Sequence, residues 1–347
     1  MQDSYQKPRI GFVLGDQAGI GPEIVLKLLH RPHLYERCRP LLIGNYELLM
    51  RLVNKMYPDC HLVAYRPEEI NEGWNAFLRD GIPVVDISGD VNHVITGMVT
   101  NASGWITYRS IEEGYHLLEK GVIEGLILAP CTKESISKSG CGFHSEYEIL
   151  EHCAGVEEVQ TVVKGGAMQR ISVVGHVPFR EIPAKMSRQR IETVSHRLAG
   201  VIQEVTGETP KLLVAALNPV EDNLLGEEER DIIVPAIEQL RSEGLTVDGP
   251  FAADTLFQKA EENGCNGIVY MYHDQGNIAM KAQMFQATTC IYTNLPYPVL
   301  STGHGSALDI AELGVANPTN ISYVLSVMTD IIQRRRDAET TKQGTSA

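Results

Sequence analysis

The sequence predicts an α/β protein with a parallel sheet and two domains. Short apolar runs of four to seven residues alternate with longer amphipathic stretches, the pattern of strands joined by crossover helices. Several runs end in clusters of polar, reactive residues, as expected where ligands collect beyond the carboxyl ends of strands in an open sheet. The length, 347 residues, also exceeds the usual size of one hydrophobic core.

Arg9–Leu14 (RIGFVL) is a first strand running into GDQAGIGPEIVLKLL. There Gly15, Gly19 and Gly21 allow a tight turn, Pro22 suits a first helical position, and Glu23 lies at the positive end of the dipole. Such a turn can cradle a phosphate. Its GxxxGxG spacing matches neither the dinucleotide fingerprint nor a P-loop, so a plain βα turn is the preferred account. Asp16 is a candidate polar lining of a cleft. Pro40–Gly44, His61–Tyr65 and Pro83–Ile87 are further strands, and Tyr46–Met56 and Asn101–Lys120 are helices, the second opened by Asn101 or Ser103.

Gly125–Ala129 (GLILA) is a buried strand ending in PCTKESISKSGCGFHSEYEIL, which places Lys133, His144, Ser145 and Glu146 at or after a strand end. Ser145 also suits the N-cap of a helix over EYEILEH. Arg170–Val174 brings His176 to another strand end, and Ser187–Val205 is an amphipathic helix. Lys211–Leu217 leads to Glu221 and Asp222, while the acidic run Glu227–Asp231 reads as a first helical turn with a solvated face. Ile268–Met271 is a buried strand that stops at Tyr272-His273-Asp274-Gln275-Gly276, followed by the ammonium of Lys281. Gly276 reads as a flexible glycine. Residues 301–319 form a Gly/Ser/Thr loop with His304 and Asp309, and the polar chain from Arg334 reads as a fraying helix end or a disordered tail.

The net charge of −14 speaks against nucleic acid and anionic membranes as partners, but leaves a small anionic substrate open. No signal-type h-region and no apolar run near ~18 residues is found. Seven scattered cysteines without a CxxC pair suit reduced thiols. The expectation is a cytoplasmic protein. Without reference to any family, His176, His273 and one of Glu221 or Asp222 could form a two-imidazole, one-carboxylate metal set. That donor set suits Zn, Mn, Fe, Co or Ni better than Ca, and such a metal acts as a Lewis acid.

The stretches GDQAGIGPEIVLK, APCTKESISKSGCGFHSEYEIL, GHVPFREIP, ALNP, GPFAADTLF, YMYHDQGNIAMK and GHGSALDIA span nearly the whole chain. In that order they resemble the 4-hydroxythreonine-4-phosphate dehydrogenase (PdxA) family. The last, with GVANPT behind it, is also similar to the adenosine-binding loop of isopropylmalate dehydrogenases. The resemblance implies an isocitrate/isopropylmalate dehydrogenase-like fold with an interdomain cleft, and a homodimer. Residues 1–135 with 305–335 would form a first, cofactor-side domain and 136–304 a second domain for metal, substrate and dimerisation, with 336–347 a disordered tail.

The implied activity is NAD-dependent oxidation of a secondary alcohol of a small hydroxy acid, with or without decarboxylation, using a divalent metal (Zn, Mn, Co or Mg). By the same resemblance His176 and His273 are metal ligands, with Glu221 or Asp222 in place of a third histidine that Val220 displaces. His144, Ser145 and Lys281 contact substrate, Lys281 and Asp274 are catalytic, and His304, Gly305, Ser306, Asp309 and Asn317 hold the cofactor. Asp309 near the ribose favours NAD over NADP. Cys290 and Val299 stand where the family has a substrate-contacting Asn and an Arg, and losing an Arg removes a two-pronged grip on an anion. That change implies an altered substrate. One alternative is a cyclic dihydrodiol carboxylate, whose ring Val299 would suit; another is a silent metabolite- or nucleotide-binding relative. Retention of the cofactor loop favours an enzyme.

Overall fold

The computed structural model describes residues 7–31, 34–70, 81–219, 226–284 and 286–344. In chain order it begins β1 (Arg9–Val13), α1 (Gly21–Leu29), α2 (Leu34–Arg37), β2 (Arg39–Gly44), α3 (Tyr46–Met56), β3 (Leu62–Tyr65) and β4 (Ile82–Asp86). Next come α4 (Asn101–Glu119), β5 (Gly125–Leu128), α5 (Lys133–Lys138), α6 (Glu146–Ala154), β6 (Gln160–Gly165) and β7 (Met168–Val174). Then α7 (Ile182–Lys185), α8 (Arg188–Thr206), β8 (Lys211–Ala215), α9 (Val234–Ser242), β9 (Thr246–Phe251) and α10 (Ala253–Glu262) follow. The chain closes with β10 (Gly267–Tyr272), α11 (His273–Met284), β11 (Thr288–Thr293), β12 (Val299–Thr302) and α12 (Thr319–Gly344). Among the described residues no helix is long and apolar enough to cross a membrane.

Contacts divide the chain into Met1–Gln160 with Asn294–Ala347, and Thr161–Thr293. The divisions thus fall at 160/161 and 293/294, where the sequence suggested 135/136 and 304/305. The first unit has strand order β3-β4-β2-β1-β5-β12, all parallel. Its central strand β1 is buried from Ile10 to Val13, as both-face coverage of a parallel sheet requires. Helix α4 is capped by Thr100, whose Oγ1 accepts the Ser103 N–H at 3.0 Å, so the cap lies one residue before the expected Asn101. It packs backbone to backbone on α5: a Cβ at Gly104 would sit 1.9 Å from the Ser135 carbonyl oxygen.

The second unit has order β11-β6-β7-β10-β8-β9, with β6 antiparallel to β7 and β7, β10, β8 and β9 parallel. Its core includes Val163, Met168, Leu213, Leu256, Phe257, Ile268, Tyr270 and Met280.

Several expectations are corrected. The tail is helical rather than disordered through Gly344, since Arg336 pairs with Glu124 and Thr340 and Thr341 bond back one turn. The acidic run at 227–231 is not a solvated face throughout. It enters a π-helical turn, Glu229–Ile233, in which Glu229 is buried and accepts the Leu217 and Asn218 N–H groups at 2.8 and 2.9 Å. Val299 is fully buried in β12, paired with Leu126, and is a core residue rather than the lining for a substrate ring.

Candidate active site

In the second unit, β7 and β10 are adjacent parallel strands with Val174 opposite Tyr272. The residues just beyond them, His176 and His273, are therefore brought together, and their ring centroids lie 4.3 Å apart at 44°. Strand β10 passes into α11 without a loop, so His273 is both the strand's terminus and the helix's first residue. His273 Nδ1 lies 2.7 Å from Asp274 Oδ1, and Asn277, one turn on, donates its amide to Nε2. Asn277 Oδ1 in turn accepts from Arg170, a β7 arginine only 3% exposed. Burial pushes the neighbouring Tyr270 phenol up to about 12, with Arg170 opposing.

Gly276 does not serve flexibility. It lies within α11, where a Cβ would meet the Tyr270 ring at 2.6 Å and Arg170 Cδ at 2.8 Å, so its role is close packing of helix on strand. Gln275 ties the same corner together: its Oε1 accepts the Met271 N–H at 2.9 Å and its Nε2 donates to the Ala216 carbonyl at 2.8 Å. Lys281 follows on α11, exposed, two turns from His273 and roughly 80° around the axis. The proposed third ligand, Glu221 or Asp222, lies with Val220 outside the described residues. Among the described residues, no group of three or more His, Cys, Asp or Glu side chains could hold a metal ion.

In the first unit, His144 is exposed with Nδ1 2.9 Å from Ser137 Oγ. Ser145 occupies the N-cap position of α6, but its hydroxyl makes no capping bond. Glu148 reaches back to the His144 N–H at 2.9 Å instead. Lys133 lies over the Tyr147 ring at 5.0 Å. Asp16 does not line a cleft. It is fully buried, accepting the Ala18 N–H at 3.1 Å and the Ser135 hydroxyl at 2.8 Å.

The glycine-rich turn after β1 is packed against the 303–317 loop, which explains its spacing. A Cβ at Gly19 would sit 2.5 Å from the Ser306 carbonyl oxygen, which accepts the Ile20 N–H at 2.9 Å. Ser306 itself is buried, donating to Pro130 and accepting from Thr132, so its side chain is structural. Glu23, 1% exposed, accepts Lys27 at 2.8 Å and the Ala316 N–H at 2.9 Å, while Lys27 also donates to the Gly314 and Ala316 carbonyls. Asn317 accepts the Thr319 N–H at the start of α12. Ala307 and Glu312 hold left-handed φ of 41° and 58°, a costly conformation for residues with a Cβ. Gly305, by contrast, has open space around its missing Cβ, and Asp309 is exposed.

The family model described as "Pyridoxal phosphate biosynthetic protein PdxA" matches residues 36–327. The chain belongs to the PdxA family. A 4-hydroxythreonine-4-phosphate dehydrogenase from Desulforapulum autotrophicum is 32% identical to this PdxA-family chain, over 91% of it and 93% of the relative. A Clostridium botulinum protein that carries the provisional name D-threonate 4-phosphate dehydrogenase is 30% identical over 91% and 94%. Among solved structures, 4-hydroxythreonine-4-phosphate dehydrogenase from Klebsiella pneumoniae superposes with TM-score 0.80 at 29% identity, covering 94% of this chain and all of that one. The enzyme class follows: this PdxA-family chain is an oxidoreductase acting on a CH–OH group.

Sequence reasoning placed Glu23 only at the helix dipole and passed over the contacts made by Arg170, Asn277 and Lys27. Asn277 was legible as the residue one helical turn beyond His273, had a helix been placed there. Arg170 stood out as a charge opening an apolar run.

Proposed function

We propose that this chain is an NAD-dependent, divalent-metal-dependent dehydrogenase of a small phosphorylated hydroxy acid. It would oxidise a secondary alcohol, with or without loss of CO2, as a cytoplasmic homodimer. The His176–His273 pair carries the reading: two imidazoles 4.3 Å apart at adjacent strand ends, one backed by a carboxylate. That donor set fits a borderline divalent cation, because a ligating histidine commonly donates its second ring N–H to a carboxylate. His176, His273 and Glu221 would hold the cation, which when bound supplies Lewis-acid polarisation at the reacting oxygen.

The chain's own groups do the rest in this reading. Asp274 orients His273. Lys281 binds the substrate's anionic end and is the candidate group for holding a proton there. His144 and the uncapping hydroxyl of Ser145 are substrate contacts. The backbone at Gly305 and the side chains of His304 and Asp309 would hold the cofactor, and the Asp309 carboxylate would repel a 2′-phosphate, favouring NAD. The names of the two relatives point to a four-carbon acid phosphate, differing at C2 between amine and hydroxyl. Burial of Val299 withdraws the support for a dihydrodiol ring.

The test is NADH formation by metal-loaded protein with 4-hydroxythreonine 4-phosphate, threonate 4-phosphate and their epimers. Turnover of one of them with NAD is expected; no turnover together with no NAD binding overturns the proposal. Metal content of Glu221→Ala, against Asp222→Ala and His273→Ala, decides the third ligand.

A further inference from the structure

Arg170 is a buried arginine on β7, and a guanidinium can only donate hydrogen bonds. One of its terminal nitrogens donates to Ser172 Oγ at 3.1 Å and the other to Asn277 Oδ1. The Asn277 amide must therefore turn its oxygen to the arginine and its NH2 to His273 Nε2. An amide NH2 also donates, so Nε2 has to carry a lone pair. At the other side of the ring an ionised Asp274 only accepts, so the ring proton sits on Nδ1. The four groups form one chain of fixed polarity, from Arg170 through Asn277 and His273 to Asp274.

We propose that Arg170 and Asn277 are positioning residues that select the Nδ1–H tautomer of the His273 ring, leaving on Nε2 the lone pair that the Asn277 amide now occupies. The meaning of that tautomer for metal binding rests on His273 being a ligand; the tautomer itself does not. An isolated histidine side chain favours the opposite tautomer, and Asp274 is mostly exposed (72%), so its hold alone is weak. Arg170 supplies the rigid end, being locked in a strand. Gly276 makes room for it, since a Cβ there would lie 2.8 Å from Arg170 Cδ. Because the Asn277 amide occupies Nε2, a cation at that nitrogen would have to displace it.

The test is ring-nitrogen NMR on metal-free, 15N-histidine-labelled full-length protein at about pH 8.5, above the ordinary histidine range. His273 is assigned by its loss in His273→Gln. In the parent, Nε2 is expected at the unprotonated position and Nδ1 at the protonated one. Asn277→Asp sets an acceptor-only group against Nε2 and should move that nitrogen to the protonated position. Asn277→Leu should leave both tautomers populated. A parent His273 with its proton on Nε2, or an Asn277→Asp ring spectrum identical to the parent's, overturns the relay. Arg170→Met is avoided because losing a buried arginine can unfold the chain, whereas Asn277 is partly exposed. Metal content of the parent is measured separately, so a correct tautomer without metal would refute the ligand reading and leave the relay standing.

Discussion

The junction of β10 with α11 and the loop at 303–317 both stand out in the sequence, yet they are built in opposite ways. At the junction, side chains are displayed: His273, Asp274 and Lys281 reach solvent while buried groups steer them from behind. In the loop, side chains are spent on holding the chain in place: Ser306, Asn317 and, from α1, Glu23 and Lys27 bond to main chain, and Glu312 is held by the Thr96 and Lys55 side chains. A motif residue in the first region acts through its own atoms. In the second it acts through the conformation it enforces on neighbours such as Gly305.

That contrast predicts which property each substitution changes. The largest effect is expected from His273→Ala, whose dehydrogenase rate should fall by on the order of 10³ or more, while the half-exposed site keeps the melting temperature within about 2 °C. A large loss of stability there would show that the junction, too, is structural. Glu23→Ala should do the reverse. Removing a buried carboxylate from Lys27 and the Ala316 N–H should cost about 2–4 kcal/mol in urea unfolding and, if NAD is the cofactor as proposed, raise its KM several-fold with kcat little changed. Unchanged stability would dissolve the distinction.

The smallest effect comes from Glu312. Burial alone would raise its carboxyl, but hydrogen bonds from Thr96 and Lys55 and the charges of Lys55 and Arg51 bring it below the usual range. A depressed folded-state value stabilises above the unfolded one and is lost as pH falls through the folded one. Glu312→Gln should therefore cost about 0.5–1 kcal/mol at pH 7, and the difference from the parent should shrink below about pH 4.5. A difference that grows with acid would contradict the ion pair as the cause.

Much of the fold was legible because parallel strands buried on both faces leave continuous apolar runs, as in β1, β2, β5 and β8. Strands such as β6 and β9 carry polar residues and were passed over. Helix α11 was missed because it opens directly from a strand on a histidine, with no Ser, Thr or Asn before it. At the site, His176 and His273 could be placed by strand ends alone. Asp16 and Glu229 could not, because a carboxylate that accepts backbone N–H groups in the interior has the same letter as one in a cleft. Such roles depend on contacts across long sequence separations, which no local pattern records.

Gln275 has a practical use in protein engineering. By clasping the Met271 N–H and the Ala216 carbonyl, it fastens the root of α11 to the segment leaving β8. Libraries that vary the exposed positions of α11, such as Asp274 and Lys281, could be screened while His273 stays in register, provided Gln275 is left untouched.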